Sequence, residues 1–375
     1  MPSPRLGVSA NPDNQRMNTE FMRLALDWAA KDMFNTAPNP RVGCVIVKGG
    51  KVIGAGHTQP PGQAHAEVQA LRDAAARGHD VRGATVYVTL EPCSHFGRTP
   101  PCADALVQAG VAQVVAAIGD PNPLVAGQGF ARLRAAGIET VCGVLEDEAR
   151  EINIGFFSRM QRGKPWVRMK AAASLDGKTA LFNGKSQWIT SEAARADGHR
   201  WRARACAILS GIGTVRVDNP QLNVRGVETT RQPIRIVVDR ALELDPAARV
   251  LDGGGTLVIA ARHDPEKEAA LRERGAEIIM LPNPHGKVDL PALMLELGRR
   301  QINELHLESG YKLNGSLIRE GCVDELLLYL APDLLGSAQG MFELAPLEDL
   351  ADKRRLAFRE VTQIGPDLRI LARFL

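Results

Sequence analysis

The sequence predicts a protein of two consecutive α/β domains. Its 375 residues exceed the roughly 250 to 300 residues at which a single hydrophobic core stops growing. In both halves, short apolar runs typical of strands alternate with segments whose apolar residues recur at helical spacing, which is the pattern of a layered α/β fold. The alternation is interrupted at residues 162–165 and then begins again. We therefore expect domains at residues 17–162 and 163–375, after a disordered extension of residues 1–16.

The elements of the first half follow from periodicity and turn residues. Phe21, Ala25 and Trp28 fall at helical spacing after Thr19, and Gly49-Gly50 separates two runs that predict a β-hairpin. The full prediction is a helix from residue 19, strands at 42–47 and 51–54, a helix from 65 to about 78, a strand at 84–90, a helix at 101–109, a strand at 113–118, a helix near 130–135 and a strand at 138–142.

The second half is predicted as a further series of strands separated by loops. The strands are residues 166–172, 207–210, 234–239, 256–260, 277–281, 304–308, 325–330 and 368–374. Loops follow strands at residues 171–177 and 213–223, and ligands of open α/β sheets bind at the carboxyl ends of strands. Thr214 and Asp218 are therefore candidate binding residues, although Asp218-Asn219-Pro220 alone is more typical of a turn.

The segment from His65 to Cys102 predicts a catalytic zinc site. Zn²⁺ prefers tetrahedral coordination, and a catalytic site uses three protein ligands so that the fourth position can hold a water. His65, Cys93 and Cys102 would be these ligands, and Cys102 falls at a predicted helix start, where the helix dipole favours the thiolate. Glu67 does not share a helix face with His65 and is better placed to carry protons. Zinc nucleobase deaminases combine such an HxE motif with a PC motif.

Two other interpretations of this segment remain open. A structural zinc site needs a fourth protein ligand, for which His95 is the nearest candidate. Alternatively, the two cysteines are ordinary buried thiols. The interval between Cys93 and Cys102 is also longer than the usual Cys-x-x-Cys. The remaining cysteines lie in or beside apolar runs and are predicted to be core residues: Cys44, Cys142, Cys206 and Cys322.

Composition argues against nucleic-acid and membrane partners. Lys and Arg number 46 and Asp and Glu 43, so no basic excess favours a polynucleotide. No apolar run approaches the roughly 18 residues that span a bilayer, and residues 1–16 lack the apolar core of a secretory signal. We therefore expect a cytoplasmic protein in which metal-binding or buried cysteines are favoured over disulfides.

Residues 309–316 are predicted as a loop that leads into a helix from Leu317. Gly310 and Gly315 have the spacing of a Walker A loop, but Ser316 stands where that motif requires lysine, so an ATPase is disfavoured. The segment is either a cofactor phosphate site or an ordinary strand-to-helix turn. Arg202 and Arg225 could bind a substrate phosphate or could be ordinary surface residues.

From about Asn18 to its C-terminus, the chain resembles the family of bifunctional riboflavin-biosynthesis deaminase/reductases. The motifs that carry the resemblance are PNPRVG at residues 38–43, HAE at 65–67, TLEPCSHFGRTPPC at 89–102, DPNP at 120–123, SLDG at 174–177, SQWIT at 186–190 and DNPQL at 218–222. The long interval between Cys93 and Cys102 belongs to this family.

The resemblance implies two folds and two reactions. The first domain would have a cytidine-deaminase-like three-layer fold and would use Zn²⁺ to remove the 2-amino group of 2,5-diamino-6-(5-phospho-ribosylamino)pyrimidin-4-one. The second domain would resemble dihydrofolate reductase and would reduce the ribosyl group of the product to ribityl with NADPH. The sequence does not decide between NADPH and NADH.

The resemblance also implies site residues. In the deaminase, His65, Cys93 and Cys102 would bind zinc and Glu67 would be catalytic, and the substrate positions would be Asn39, His57, His95, Arg98 and Asp120. In the reductase, the cofactor positions would be Ala172, Trp188, Thr214, Asp218, Gly310, Tyr311, Lys312, Leu313, Asn314, Gly315 and Ser316. The substrate positions there would be Ser186, Arg202, Leu222, Arg225 and Glu308, and the proton donor would be Lys170, Asp218 or Glu308.

Three residues depart from the family pattern. Tyr311 and Lys312 replace small residues, and Arg240 stands where a hydroxyl residue is common and could contact the 2′-phosphate of NADPH. Two rival functions are an RNA-editing deaminase with an appended domain, which the balanced charge disfavours, and a non-catalytic zinc-stabilised binding module. The resemblance further implies a homo-oligomer joined through the second domain.

Overall fold

The computed structural model describes residues 12–94, 96, 100–123 and 125–375. The chain divides after Arg162 into two compact units, which we call the N-terminal unit and the C-terminal unit. In the part of the chain that the structure describes, no helix has the length and apolar character needed to cross a membrane. Of the predicted disordered extension, residues 1–11 lie outside the described residues.

Within its described residues, the N-terminal unit contains one mixed sheet and six helices. Its strands are β1 (Gly43–Lys48), β2 (Lys51–His57), β3 (Thr85–Val88), β4 (Gln113–Ala116) and β5 (Glu139–Cys142), and its helices are α1 (Pro12–Lys31), α2 (Ala66–Ala76), α3 (Cys102–Ala109), α4 (Gln128–Ala135), α5 (Glu146–Ile152) and α6 (Ile154–Arg162). The sheet order is β2-β1-β3-β4-β5, with β1 antiparallel to both neighbours and the other pairs parallel.

Helices cover both faces of this sheet. A Cβ on Gly43 would collide with the backbone of Ala25 in α1, whereas a Cβ on Gly56 would collide with the start of α2. Gly56 pairs with Cys44, the neighbour of Gly43, and successive strand residues face opposite sides of a sheet. The helices α1 and α2 therefore lie on opposite faces, as the predicted three-layer fold requires.

Two features of this unit differ from the sequence prediction. The helix α1 begins at Pro12, not near Thr19, so the prediction that residues 12–16 are disordered is wrong. Proline is favoured at the first position of a helix, and the Gln and Arg residues that follow it are good helix formers. The helices α5 and α6 were also not predicted from periodicity.

The C-terminal unit has eleven strands, nine of which form one sheet. Its strands are β6 (Trp166–Ser174), β7 (Lys178–Ala180), β8 (Ala207–Gly211), β9 (Ile234–Val238), β10 (Thr256–Ala260), β11 (Glu277–Met280), β12 (Glu304–Leu307), β13 (Glu325–Ala331), β14 (Gln339–Gly340), β15 (Leu356–Ile364) and β16 (Asp367–Phe374), and its helices are α7 (Glu192–Arg204), α8 (Ile212–Asp218), α9 (Pro265–Glu273), α10 (Leu290–Arg299) and α11 (Tyr311–Arg319). Short 3-10 turns lie at Arg249–Leu251 and Leu350–Asp352.

Neighbouring strands along one side of this sheet, in the spatial order β11, β10, β9, β8, β12, β6 and β13, run parallel to one another. The order is β11-β10-β9-β8-β12-β6-β13-β16-β15, and β16 and β15 continue it as an antiparallel hairpin. Strands β7 and β14 form a separate small sheet. The predicted α/β class is confirmed, but β15 at the sheet edge was not predicted.

The predicted loop at residues 311–316 is helical. Gly310 is the N-cap of α11, with extended backbone angles (φ −73°, ψ 163°), so the helix begins at Tyr311 and not at Leu317. Gly315, which suggested a loop, serves a different purpose. A Cβ there would collide with the backbone carbonyl of Glu343, so the glycine permits a close approach inside a helix.

Candidate active sites

The three predicted zinc ligands converge in the N-terminal unit. His65 is the N-cap of α2, Cys102 is the first residue of α3, and Cys93 lies between β3 and α3. Nδ1 of His65 lies 3.2 Å from Sγ of Cys102 and 3.7 Å from Sγ of Cys93. All three ligand atoms lie within 4.8 Å of one another, and no other such group occurs among the described residues.

These distances and this donor set fit zinc. With bonds of about 2.3 Å to sulfur and about 2.0 to 2.1 Å to nitrogen, tetrahedral geometry places neighbouring ligand atoms about 3.6 Å apart. The thiol of Cys102 and His65 both stabilise the thiolate of Cys93, whose pKa falls to about 4, and the backbone N–H of Cys102 also donates to that sulfur at 3.3 Å. The pKa of Cys102 is raised in turn because it retains the shared proton. His95, the alternative fourth ligand, lies outside the described residues.

Glu67 is buried beside these ligands. Its side chain lies in the first turn of α2, and the residue is 4% exposed. Burial, assisted by the charge of Cys93 and opposed by His65, raises the pKa of its carboxyl to about 7. A carboxyl with a pKa near neutrality can both accept and return a proton at physiological pH. The position and pKa of Glu67 therefore fit its predicted role as the proton carrier.

The other predicted deaminase residues differ in their relation to the ligands. Burial, with smaller contributions from the charges of Glu91 and Cys93, raises the pKa of the Asp120 carboxyl to about 7. Asn39 lies after α1, and His57 at the end of β2 stacks on Trp28 with 6.0 Å between the rings. Neither makes a hydrogen bond to a zinc ligand within the described part of the chain. His95 and Arg98 lie outside the described residues.

In the C-terminal unit, Lys170, Arg202 and Glu308 form one partly buried charged cluster. Glu308 directly follows β12, and Arg202 in α7 donates to both of its oxygens, at 2.5 Å and 2.7 Å. Although burial opposes the shift, the guanidinium holds the pKa of Glu308 well below its usual range. Burial lowers the pKa of Lys170, Arg202 lowers it further, and Glu308 opposes both effects.

The N-terminus of α11 lies beside the start of α8. The strands β12 and β8 are neighbours, so both helices begin at the same edge of the sheet, and a Cβ on Gly310 would lie 3.5 Å from Oγ1 of Thr214. No side chain caps α11, which leaves the N–H groups of its first turn available to an anion. The site therefore fits the diphosphate of a dinucleotide.

The predicted cofactor residues of α11 differ in whether they lie at the N-terminus of the helix. Tyr311, Lys312 and Leu313 form its first turn. Asn314 instead accepts a hydrogen bond from Ser309 at 2.6 Å and donates to the Met341 carbonyl at 3.3 Å. Gly315 and Ser316 lie further along the helix.

The remaining predicted reductase residues are spread around the carboxyl edge of the sheet. Asp218 is the last residue of α8 and accepts a weak hydrogen bond of 3.5 Å from Gln187. Trp188, the residue after Gln187, is 69% exposed. Burial raises the pKa of Asp218. The others are placed as follows: Ala172 on β6, Ser186 in the loop before α7, Leu222 buried after α8, Arg225 exposed near His199, and Arg240 exposed after β9.

Sequence reasoning missed His306. Its side chain is 0% exposed, and its Nε2 lies 3.2 Å from an oxygen of Glu308, although neither ring nitrogen makes a well-aligned hydrogen bond within the described chain. Burial lowers the pKa of His306. One signal was available. Glu304, His306 and Glu308 alternate along the strand, which places three polar side chains on one face of the sheet.

Comparisons with known proteins agree with this division of sites. Residues 15–118 match the family model of the cytidine and deoxycytidylate deaminase zinc-binding region, and residues 165–370 match that of the RibD C-terminal domain. The riboflavin biosynthesis protein RibD of Escherichia coli (strain K12) is 46% identical over 361 residues, which cover 93% of this chain and 97% of that protein.

Two solved structures are similar over almost the whole chain. One form of Acinetobacter baumannii RibD is 41% identical with a TM-score of 0.89, and the match covers 96% of this chain and 99% of that one. A Thermotoga maritima protein, described as a diaminohydroxyphosphoribosylaminopyrimidine deaminase/5-amino-6-(5-phosphoribosylamino)uracil reductase, is 31% identical with a TM-score of 0.85 and the same coverage. With two family models matched in order and identity sustained across both units, this chain belongs to the family of the riboflavin biosynthesis protein RibD.

Proposed function

We propose that this protein catalyses two successive reactions of riboflavin biosynthesis. The N-terminal unit deaminates 2,5-diamino-6-(5-phospho-ribosylamino)pyrimidin-4-one to the aminouracil, and the C-terminal unit reduces the ribosyl group of that product to ribityl. The observation that carries the proposal is the convergence of His65, Cys93 and Cys102 beside the buried Glu67. The cofactors are Zn²⁺ for the first reaction and NADPH for the second.

Deamination replaces the bond from ring carbon to amino nitrogen with a bond to a water oxygen, and ammonia leaves. Zinc held by the three ligands would supply the Lewis acidity that makes water nucleophilic at neutral pH. Glu67 takes the proton that the attacking water loses, since burial raises its pKa to about 7. It returns protons to the ring nitrogen and to the departing amino group. The half-buried Asp120 follows β4 in the same unit, and the charge of Cys93 contributes to its raised pKa, which supports its implied role of holding the base.

Reduction adds a hydride to the sugar carbon and a proton to the neighbouring heteroatom. NADPH supplies the hydride, and the first turn of α11 would hold its diphosphate. Of the three predicted proton donors, Glu308 is unsuited, because Arg202 engages both of its oxygens and keeps its pKa low. Lys170 is better suited, because burial lowers the pKa of its ammonium. We assign Lys170 as the donor and Glu308 with Arg202 as substrate-holding residues.

The protein is also proposed to work in the cytoplasm. All six cysteines are free thiols, and the two zinc ligands among them must stay reduced, which a reducing compartment ensures. The substrate is a small phosphorylated pyrimidine, and the nearly balanced counts of 46 basic and 43 acidic residues give no support to a nucleic-acid partner.

Self-association through the C-terminal unit is the third part of the proposal. The side chains of β13, β16 and β15 on one sheet face are apolar and incompletely covered, and we call this surface the apolar sheet face. Its members include Leu326, Leu328, Leu330, Phe358, Val361, Leu368 and Ile370. Phe358 is 75% exposed, and β15 is the edge strand of the sheet, with no strand of the described chain paired to its outer side. A contiguous exposed apolar surface marks an interaction site, and a second copy offers an identical apolar surface.

Phe358→Glu is expected to shift the protein towards monomers, because a charge would be buried on association. Light scattering coupled to gel filtration measures the mass. Leu295→Glu, at an exposed position of α10 outside the apolar sheet face, is the matched control and should leave the mass unchanged. Equal masses for wild type and Phe358→Glu would contradict self-association through this face.

The proposed reactions are tested with the purified wild-type protein. We expect stoichiometric zinc, ammonia release from the diaminopyrimidinone substrate, and NADPH oxidation that depends on the deaminated product. Removal of zinc with a chelator should stop ammonia release and leave NADPH oxidation on the deaminated product intact. Ammonia release that survives full removal of metal would contradict the first assignment.

A further inference from the structure

The buried carboxylate of Glu91 accepts hydrogen bonds from two segments of the N-terminal unit. Glu91 is 3% exposed and lies two residues before Cys93. Its Oε2 accepts the backbone N–H groups of Asp120 at 3.2 Å and Gly127 at 3.0 Å. Its Oε1 accepts those of Gly129 at 3.0 Å and Phe130 at 3.3 Å. Oε2 therefore joins the segment of Asp120 to the N-cap of α4, Gly127, and Oε1 holds the first turn of that helix.

The helix α4 in turn supports both cysteine-bearing segments. Gly129 packs so closely that a Cβ would collide with the carbonyl of Pro92. Arg132, one turn further, donates to the Ser94 carbonyl at 3.5 Å and pairs with Asp104 in α3, whose first residue is Cys102. Glu91 thus connects the segment of Cys93, the start of α4 and the segment of Asp120 through one rigid set of hydrogen bonds.

We infer that Glu91 is a positioning residue for deamination, because its carboxylate fixes the backbone of Asp120, the residue proposed to hold the base. The inference rests on the proposed function. The backbone N–H of Asp120 is bound directly to Oε2 of Glu91, so a displacement of that oxygen moves Asp120. The four hydrogen bonds of the Glu91 carboxylate run to backbone N–H groups of the Asp120 segment and of the start of α4. Zinc content therefore distinguishes displacement of Asp120 from displacement of the zinc ligands.

Glu91→Gln tests this role with little change in size. An amide offers one acceptor oxygen, and its NH2 group would face two N–H donors that lose their partner. We expect kcat/KM for ammonia release to fall roughly 10²-fold, as displacement of a substrate-holding group by about 1 Å can cause. Zinc content and NADPH oxidation on the deaminated product should match wild type. Glu139→Gln, at an exposed carboxylate of the same unit, should retain full activity.

A double variant separates positioning from general structural support. Asp120→Asn combined with Glu91→Gln should be no slower than Asp120→Asn alone, since residues that act through one another are not additive. Multiplying effects in that double variant, unchanged ammonia release in Glu91→Gln, or loss of zinc in parallel with activity would each overturn the inference. Absence of ammonia release in wild type would instead overturn the proposed function.

Discussion

Glu67→Gln is expected to lose ammonia release about 10²-fold to 10⁴-fold, the range that general acid–base catalysis contributes. The amide keeps the size of the buried side chain but cannot take the proton from the attacking water or return it to the leaving amino group. Two thiolates and one imidazole leave a bound zinc ion nearly neutral in net charge, so its polarisation of water is modest and the carboxylate matters more. Ammonia release from the diaminopyrimidinone substrate, assayed at saturating substrate, measures the effect.

Two internal measurements control this experiment. Zinc content should remain that of wild type, because Glu67 is not a predicted ligand, and NADPH oxidation on the deaminated product should be unaffected. Cys93→Ser should differ from Glu67→Gln by losing zinc as well as activity. A Glu67→Gln protein that still released ammonia at the wild-type rate would remove the proton carrier from the mechanism and would favour a zinc-stabilised module over an enzyme.

The metal centre could be predicted from sequence because its signals are local. His65 precedes an apolar helical repeat, and Cys102 follows two prolines that favour a helix start. Both positions are helix starts in the structure. The prediction needed only the segment from residue 65 to 102, in which each ligand is placed by the element that begins or ends beside it.

Features that depend on distant chain segments could not be predicted in this way. The strand β15 carries a register shift between Phe358 and Glu360, and this irregularity breaks the alternation of apolar and polar residues by which strands are recognised. Gly315 suggested a loop, but its reason is the approach of Glu343 from elsewhere in the chain. The partners of Glu91 likewise lie roughly 30 to 40 residues along the sequence.

A buried cluster of charged residues beside α7 is a second feature that could not be predicted from sequence. Arg168 binds Glu304 at 3.1 Å and Glu325 at 2.6 Å, with all three side chains almost fully buried, and its guanidinium lies 4.5 Å from the ring of Trp201. Charged residues are rarely buried unless they are paired, so sequence alone favours placing each of them at the surface. Their pairing is visible only when three strands and one helix are assembled.

Lys170→Met is expected to slow reduction by about 10²-fold or more, the contribution of a positioned general acid. Burial lowers the pKa of Lys170, and Arg202 adds to that effect against Glu308. An ammonium with a lowered pKa gives up its proton readily, whereas methionine has none to give. NADPH oxidation on the deaminated product measures the loss, while the Kd for NADPH and the rate of ammonia release should match wild type. Lys267→Met, at an exposed position of α9, is the matched control.

The pH dependence and a second variant decide between proton transfer and simple charge. A general acid must be protonated, so reduction by the wild-type protein should decline as pH rises through the lowered pKa of Lys170, and Lys170→Met should lack this decline. Lys170→Arg keeps the positive charge beside Glu308, but a guanidinium does not release its proton in this range. It should therefore be as slow as Lys170→Met. Near wild-type reduction by Lys170→Arg would show that the charge alone suffices, and the proton would then have to come from Asp218 or from water.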